Sequence, residues 1–238
     1  MSPWPFAQWG LDLIGKLPTA PGQYKYAIVA VDYYTKWVEV EPLSRITIES
    51  VNNFLLKNVY CRFGIPETII TDNGTQFNNP KLIEFTEDMG TRMVFASIAH
   101  PTTNEQVEAV NKIIKKLLKK KLDDAKGLWA QRLSEALWAI RTTATESTGE
   151  TSFSLAFGTK AVIPVELIVP SGRVEGYSEE TNAEGLQLNM DLIKEKRERA
   201  DLHTQVYKQR VARHYDSKVR PRSLGLGDEA SDDPTNGP

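Results

Sequence analysis

Two apolar, β-branched segments separated by only two residues constrain the fold more than any other feature of this chain. Tyr24–Tyr33 follows a Pro-Gly pair, and Lys36–Pro42 alternates apolar and polar residues with a period of two. Strands joined by so short a connection can pair only in the antiparallel direction. The sequence therefore predicts a β-hairpin with a tight turn at Tyr34 and Thr35.

Further periodic segments surround this hairpin. The predicted strands are Trp9–Leu17, Glu67–Thr71 and Thr91–Ile98, and the predicted helices are Ile46–Phe63, Pro80–Met89, Thr103–Leu122 and Leu128–Thr143. The resulting order, β-β-β-α-β-α-β-α-α, is typical of the α/β class. It predicts a mixed five-stranded sheet with helices on its faces.

Composition indicates a globular protein. The chain has 238 residues, 40% of them hydrophobic, and a formal charge of −2. Its longest apolar run, Tyr26–Val31, is far shorter than the ~20 residues that cross a bilayer, so we expect no membrane span. A single cysteine, Cys61, fits a reducing compartment such as the cytosol or nucleus. We expect Cys61 to be buried and the core to contain four tryptophans, namely Trp9, Trp37, Trp129 and Trp138.

The composition of the chain changes after about residue 170. We expect a core domain over residues 1–170, a charged helical extension over 171–220 and a disordered tail over 221–238. Within the extension, Glu179–Tyr215 is helix-prone and has only a narrow apolar stripe, made of Leu188, Leu192, Leu202 and Val206. Such a helix is expected to project from the core or to pair with another chain.

Three acidic residues occupy positions from which they could converge. Asp12 is in the first strand, Asp72 directly follows a buried strand, and Glu108 is in the first turns of a Lys-rich helix. Carboxylate oxygens are the ligands that Mg²⁺ prefers. However, the interval of 35 residues between Asp72 and Glu108 recurs between other acidic residues of the chain, so spacing alone does not identify a site.

Sequence motifs decide the matter. They are WGLD (Trp9–Asp12), VAVDYYTKWVEVEPL (Val29–Leu43), RFGIPETIITDNGTQF (Arg62–Phe77), HPTTNEQVEAVNK (His100–Lys112), LWAIRTT (Leu137–Thr143) and STGETSFSLAFGTKAVIPVEL (Ser147–Leu167). In this order, the chain closely resembles the catalytic core of integrases from gypsy-type long-terminal-repeat retrotransposons. These are relatives of retroviral integrases within the ribonuclease H-like superfamily, and the resemblance covers about residues 3–168.

The resemblance implies a fold, a chemistry and partners. It implies a ribonuclease H-like sheet in which Asp12, Asp72 and Glu108 are catalytic ligands of Mg²⁺ or Mn²⁺. The expected activity is that of a polynucleotidyl transferase and endonuclease, which cleaves phosphodiesters and joins DNA strands during DNA integration. It also implies DNA as a partner, a homo-oligomer and a location in the nucleus. Asp32, in a neighbouring motif, is expected to be structural.

Candidate nucleic-acid contacts surround these acidic residues. They are Asn73, His100, Lys112, Lys115 and Lys119. Lys112 and Lys115 follow Glu108 by four and seven residues, which places them on the same helical face, where they could meet phosphates. Without the motifs, a Lys run of this kind is more often a solvated helix face.

The chain departs from the family in two ways that leave alternatives open. Glu105 stands where glycine is usual and forms a possible capping box with Thr102, which would stabilise the helix start but add a charge near the site. The family's zinc-binding and β-barrel domains are missing, so we expect a fragment or truncated gene. An inactive remnant that binds nucleic acid or oligomerises is therefore one alternative. A ribonuclease H-type hydrolase is another, without support from the integrase motifs.

Overall fold

The computed structural model describes residues 2–95, 127–162 and 178–216, and its centre is a five-stranded sheet. The strands are β1 (Gln8–Ile14), β2 (Tyr26–Asp32), β3 (Val38–Leu43), β4 (Thr68–Thr71) and β5 (Arg92–Phe95). They lie in the order β3-β2-β1-β4-β5. The three strands β1 to β3 pair antiparallel, whereas β4 is parallel to both β1 and β5. The predicted mixed five-stranded sheet is confirmed.

Helices cover the sheet and extend beyond it. They are α1 (Ile48–Phe54), a π-helical segment (Leu55–Tyr60), α2 (Cys61–Phe63), α3 (Pro80–Asp88), α4 (Leu133–Thr142), α5 (Ser152–Phe157) and α6 (Glu179–Asp216). The predicted C-terminal helical extension is confirmed as α6. The predicted helix Thr103–Leu122 and the end of the predicted strand Thr91–Ile98 lie outside the described residues.

Each face of the sheet packs against its own helices. One face, which we term the α1 face, joins strand residues to α1 and α3 through the buried side chains Trp9, Leu11, Ile28, Phe54, Ile69 and Leu82. The other, the α4 face, packs against α4 through Ile14, Val29, Val31, Trp129 and Leu133. Because both faces are covered, β2 is apolar almost throughout rather than alternating.

The hairpin turn differs from the prediction. It is a five-residue loop, Tyr33–Trp37, rather than a two-residue turn, and it is organised by the fully buried Asp32. The Asp32 carboxylate accepts hydrogen bonds from the Thr35 backbone N–H at 2.8 Å, the Thr35 hydroxyl at 2.6 Å and the Phe6 N–H at 3.0 Å. These bonds stabilise a longer loop, in which Lys36 adopts a left-handed conformation. The predicted structural role of Asp32 is confirmed.

A buried cluster of charges connects three motifs that are distant in the sequence. The Glu39 side chain is only 4% exposed and forms ion pairs with Arg62 at 2.8 Å and Arg141 at 2.9 Å. Its other oxygen accepts a hydrogen bond from the Trp37 indole N–H at 2.7 Å. Arg141 also donates two hydrogen bonds to the Val38 carbonyl and lies 4.5 Å from the centre of the Trp37 ring. This cluster anchors α4 to β3.

Two expectations about the core are wrong. Cys61 is exposed, because it follows a π-helical segment whose wider turn changes the direction of the residues after it. Trp138 is 42% exposed, because the buried stripe of α4 consists of Leu133, Ala136 and Leu137, and the next residue lies about 100° further around the helix. Trp9, Trp37 and Trp129 are buried as expected.

Helix α6 packs against the end of α5. Arg197 donates hydrogen bonds to the carbonyls of Leu155 and Ala156 at 2.9 and 3.1 Å, and Lys196 donates to the Gly158 carbonyl at 2.8 Å. These cations satisfy carbonyls that have no partner within α5, at the helix end where positive charge is favourable. Within the part of the chain that the structure describes, no helix combines the length and the apolarity that a membrane crossing requires.

Candidate metal site

Two of the three predicted metal ligands lie side by side. Strands β1 and β4 are parallel, with Gln8 opposite Thr68 and Leu11 opposite Thr71. The residues that follow this last pair are Asp12, within β1, and Asp72, directly after β4. Residues in register on parallel strands direct their side chains to the same face. The backbones of Asp12 and Asp72 are therefore adjacent, with Asp12 inside β1 on the α4 face and Asp72 directly after the end of β4.

Asp72 is held by a tight turn directly after β4. Its Oδ1 accepts a hydrogen bond from the Gly74 backbone N–H at 3.1 Å, and the residue is exposed. A Cβ atom on Gly74 would clash with the Gln76 side-chain nitrogen and lie 2.9 Å from Asp72 Oδ1. A larger residue at position 74 would therefore displace the Gln76 amide and press on the Asp72 carboxylate.

Asn73 contributes to the same turn. Its side-chain oxygen accepts a hydrogen bond from the Asn78 side-chain amide at 2.9 Å. The bond joins the start of the turn to the segment before α3, which begins with Asn79 as its N-cap and Pro80 as its first residue. Asn73 thus has a structural partner, and the residue is exposed.

Asp12 lies in a less exposed setting. Its Oδ1 accepts a hydrogen bond from the Leu13 backbone N–H at 2.6 Å. The neighbouring Tyr33 side chain is buried against Ile70 and Val94 on the same sheet face. Burial raises the pKa of Tyr33 well above its ordinary value, and the negative charge of Asp12 raises it further. The Tyr33 hydroxyl therefore stays neutral next to the Asp12 carboxylate.

The structure tests only part of the predicted site. Glu108, His100, Lys112, Lys115 and Lys119 lie outside the described residues. Among residues 2–95, 127–162 and 178–216, no group of three or more His, Cys, Asp or Glu side chains could hold a metal ion. The described part of the site is therefore a pair of carboxylates, and the third ligand stays a prediction from the sequence.

Sequence reasoning missed two residues of this region. Tyr33 was part of a recognised motif but had no assigned role, and only the fold brings its ring to the face that carries Asp12. Gly74 is part of the Arg62–Phe77 motif, yet the steric effect of a larger residue there depends on the positions of the Asp72 and Gln76 side chains. A tyrosine directly after an apolar strand was the only available signal for the first of these residues.

The fold and the paired carboxylates define a ribonuclease H-like α/β domain. Residues 3–101 match the family described as integrase core domain. The resemblance inferred from the motifs is thereby confirmed, and residues 3–101 of the chain are similar to an integrase core domain.

Curated relatives support this assignment. The chain is 30% identical over 183 residues to the Gag-Pol polyprotein of avian reticuloendotheliosis virus, covering 77% of this chain and 16% of the polyprotein. It is 28% identical over 163 residues to gypsy retrotransposon integrase-like protein 1 of Bos taurus, covering 68% and 32%. The chain thus spans a third or less of the length of these relatives.

Solved structures show the same fold. A chain of the simian T-cell lymphotropic virus intasome, in complex with PP2A regulatory subunit B56 gamma, aligns with a TM-score of 0.58 and 24% identity, covering 68% of this chain and 57% of that one. The HTLV-2 integrase catalytic core domain in complex with magnesium, in a trimeric form, aligns with a TM-score of 0.53 and 25% identity. That alignment covers 65% of this chain and 98% of the HTLV-2 domain.

Proposed function

We propose that this chain catalyses metal-dependent phosphodiester cleavage and DNA strand transfer, with Asp12, Asp72 and Glu108 as the metal ligands. The observation that carries this proposal is the parallel register of β1 and β4, which makes Asp12 and Asp72 neighbours. Two adjacent carboxylates at the end of paired strands repel one another unless a cation lies between them. Within an integrase core domain, this arrangement favours a divalent metal.

The chemistry of the two side chains fits Mg²⁺ or Mn²⁺. Both offer carboxylate oxygens, and the HTLV-2 core domain, with the same fold, is in complex with magnesium. Held by these carboxylates, such ions would supply activation of the attacking oxygen and stabilisation of the leaving oxygen in phosphodiester cleavage. The protein therefore needs little acid or base chemistry from its own side chains.

The described residues prepare the two carboxylates for this role. The Gly74 N–H binds Asp72 Oδ1, and the Leu13 N–H binds Asp12 Oδ1, so one oxygen of each carboxylate is fixed by the backbone. Fixed ligands cost less ordering entropy when an ion binds. Asp72 is exposed, which gives a DNA strand access to it, whereas Asp12 is anchored within the sheet.

We also propose how DNA reaches this site. The Lys-rich segment with Lys112, Lys115 and Lys119 would bind phosphates electrostatically and without sequence preference. His100 and Asn73 would contact the DNA end. The functional form would be a homo-oligomer in the nucleus. These assignments rest on the motifs and on the integrase core family.

Disintegration of a branched DNA substrate tests the proposal directly. We expect the wild-type chain to cut and rejoin this DNA only with Mg²⁺ or Mn²⁺, and Asp72→Asn and Asp12→Asn to lose the activity by roughly 100-fold or more. Glu67→Gln is the matched control, because Glu67 is an exposed carboxylate just before β4 and is expected to retain full activity.

Two outcomes would contradict the proposal. Activity that persists in Asp72→Asn would place the chemistry elsewhere. A wild-type chain that binds the branched DNA without cutting it would favour the inactive remnant, whose function is binding alone.

A further inference from the structure

Helix α6 exposes a row of side chains that its packing against α5 does not use. Its buried residues include Ala200 and Thr204, on the side that faces the core domain. On another side, four apolar residues are between 45% and 62% exposed, namely Leu188, Leu192, Leu202 and Val206. An exposed row of this kind on a helix is a typical protein interface.

The row has the spacing of a coiled-coil seam. Together with two exposed charged residues it forms what we term the α6 stripe, which consists of Leu188, Leu192, Glu195, Arg199, Leu202 and Val206. Successive members are separated by four, three, four, three and four residues. This is the alternation of a and d positions in a heptad repeat, which keeps one face of a helix against a partner helix.

The stripe is symmetric about its centre. Leu188 and Val206 lie nine residues on either side of Arg197, Leu192 and Leu202 lie five residues away, and Glu195 and Arg199 lie two residues away. In an antiparallel pair of identical helices, each member of such a couple faces the other member of the second chain. A two-fold interface requires this kind of self-complementarity.

We propose that α6 is a self-association surface, on which a second copy of this chain packs antiparallel. Leu188 then faces Val206 of the second copy, and Leu192 faces Leu202. The central layer consists of Glu195 and Arg199 from each chain. Within one chain these two residues form an ion pair at 2.9 Å, and both remain more than 60% exposed, so they are accessible to a second pair.

Charge selects the antiparallel direction. In a parallel pair in register, Glu195 would face Glu195 and Arg199 would face Arg199, which is repulsive. In the antiparallel pair, each Glu195 faces an Arg199. The rest of the helix agrees with this direction. Between Glu179 and Ile193 it has four acidic residues and no Lys or Arg, whereas from Lys194 to Asp216 it has seven Lys or Arg and four acidic residues.

The shape of the surface offers a place for the partner. A groove of about 560 Å³ runs between the C-terminal half of α6 and the loop that contains Glu146 and Gly149. Leu202 and Val206 form part of its wall. In the antiparallel pair these two residues face Leu192 and Leu188 of the second copy, so the groove is next to the incoming apolar side chains.

Charge-reversed chains provide a specific test. We expect the full-length wild-type chain to form a concentration-dependent dimer in sedimentation equilibrium. Glu195→Arg gives each chain two cations in the central layer, and Arg199→Glu gives each chain two anions. The dimer dissociation constant of each variant alone should therefore rise at least roughly tenfold. An equimolar mixture of the two variants should recover the dimer, because each layer is then complementary.

Disulfide trapping tests the direction. In a Cys61→Ser background, a mixture of Leu192→Cys and Leu202→Cys chains should form a crosslinked dimer under mild oxidation. Leu192→Cys alone should not, since its two thiols would be about 15 Å apart along the antiparallel pair, too far for a disulfide.

One control variant and three possible results show how the proposal could fail. Arg45→Glu makes the same charge reversal as Arg199→Glu at an exposed residue outside α6 and is expected to leave the dimer unchanged. Circular dichroism should show native helicity in every variant. A wild-type chain that stays monomeric at high concentration would overturn the proposal. So would a dimer that survives both charge reversals, or a Leu192→Cys chain that crosslinks with itself.

Discussion

Removing the negative charge of Glu39 is expected to destabilise the fold strongly. The carboxylate is almost fully buried and binds two arginines and one indole N–H. Glu39→Gln keeps the size of the side chain but removes the charge. Arg141, whose side chain is 18% exposed, then has only neutral acceptors, namely the Val38 carbonyl and the amide oxygen of the new glutamine, and no compensating charge. Burial already lowers the pKa of Arg141, and Glu39 is the group that opposes this shift.

The magnitude follows from this burial. Breaking a buried ion pair by removing one partner costs about 3–5 kcal/mol, because an uncompensated charge is left in the interior. For a chain of this size, 1 kcal/mol corresponds to roughly 2–4 °C in Tm. We therefore expect Glu39→Gln to lower the Tm by about 6–20 °C. Arg62→Ala should cost less than about 1 kcal/mol, since the Arg62 side chain is 45% exposed.

Urea denaturation followed by circular dichroism measures these differences. A second variant, Glu39→Met combined with Arg141→Met, should recover most of the loss, because a buried pair can often be replaced by apolar residues of similar size. A loss below about 1 kcal/mol for Glu39→Gln would refute the reasoning, since it would mean that water reaches Arg141 in the folded state.

Three further predictions concern single residues. Gly74→Ala should displace the Asp72 carboxylate and lower metal-dependent DNA cleavage, while Gly15→Ala, where a Cβ meets nothing within 4 Å, should leave cleavage unchanged. Burial lowers the pKa of Lys36 from 10.5 to about 8, so the unfolded chain binds more protons between these values, and stability should rise with pH across this window. Urea denaturation at both ends of the window should show the rise in wild type and its loss in Lys36→Met. The sequence predicts a capping box that includes Glu105, so Glu105→Gly should lower the Tm slightly through a loss of about 0.5–2 kcal/mol. If Glu105 inhibits catalysis, the same change should raise DNA cleavage, whereas equal cleavage by both chains would mean that Glu105 acts only as a cap.

The strands and helices were largely predictable because their signals are local. An apolar, β-branched run and a period-two segment gave the hairpin strands, and apolar residues at helical spacing gave the helix that follows, which begins at Ile48 after the N-cap Thr47. The five-residue hairpin loop was not predictable, since it depends on the burial of Asp32 beneath Phe6. The π-helical segment likewise has no local sequence signature.

The charge cluster illustrates a second limit. Glu39 alternates with Val38 and Val40, a pattern that by itself indicates a half-exposed strand. Its burial follows from the helices that cover this face and from Arg141, a residue in a distant motif. The local sequence pattern does not show which distant cation forms an ion pair with a given carboxylate.

The candidate site was predictable in identity but not in geometry. The motifs identified Asp12 and Asp72, yet their proximity depends on β4 pairing with β1 in one particular register. A shift of one residue would turn one of the two side chains to the opposite face of the sheet. The pairing of β4 with β1, and its register, were therefore the missing information.

The position of a bound metal ion tests the central claim most directly. A crystal of this protein soaked in Mn²⁺ should show an anomalous-scattering peak between the Asp12 and Asp72 carboxylates, with Mn–O distances of roughly 2.0–2.3 Å. The peak should be absent from an Asp72→Asn crystal. A peak at another site, or none between these two residues at saturating Mn²⁺, would contradict the account.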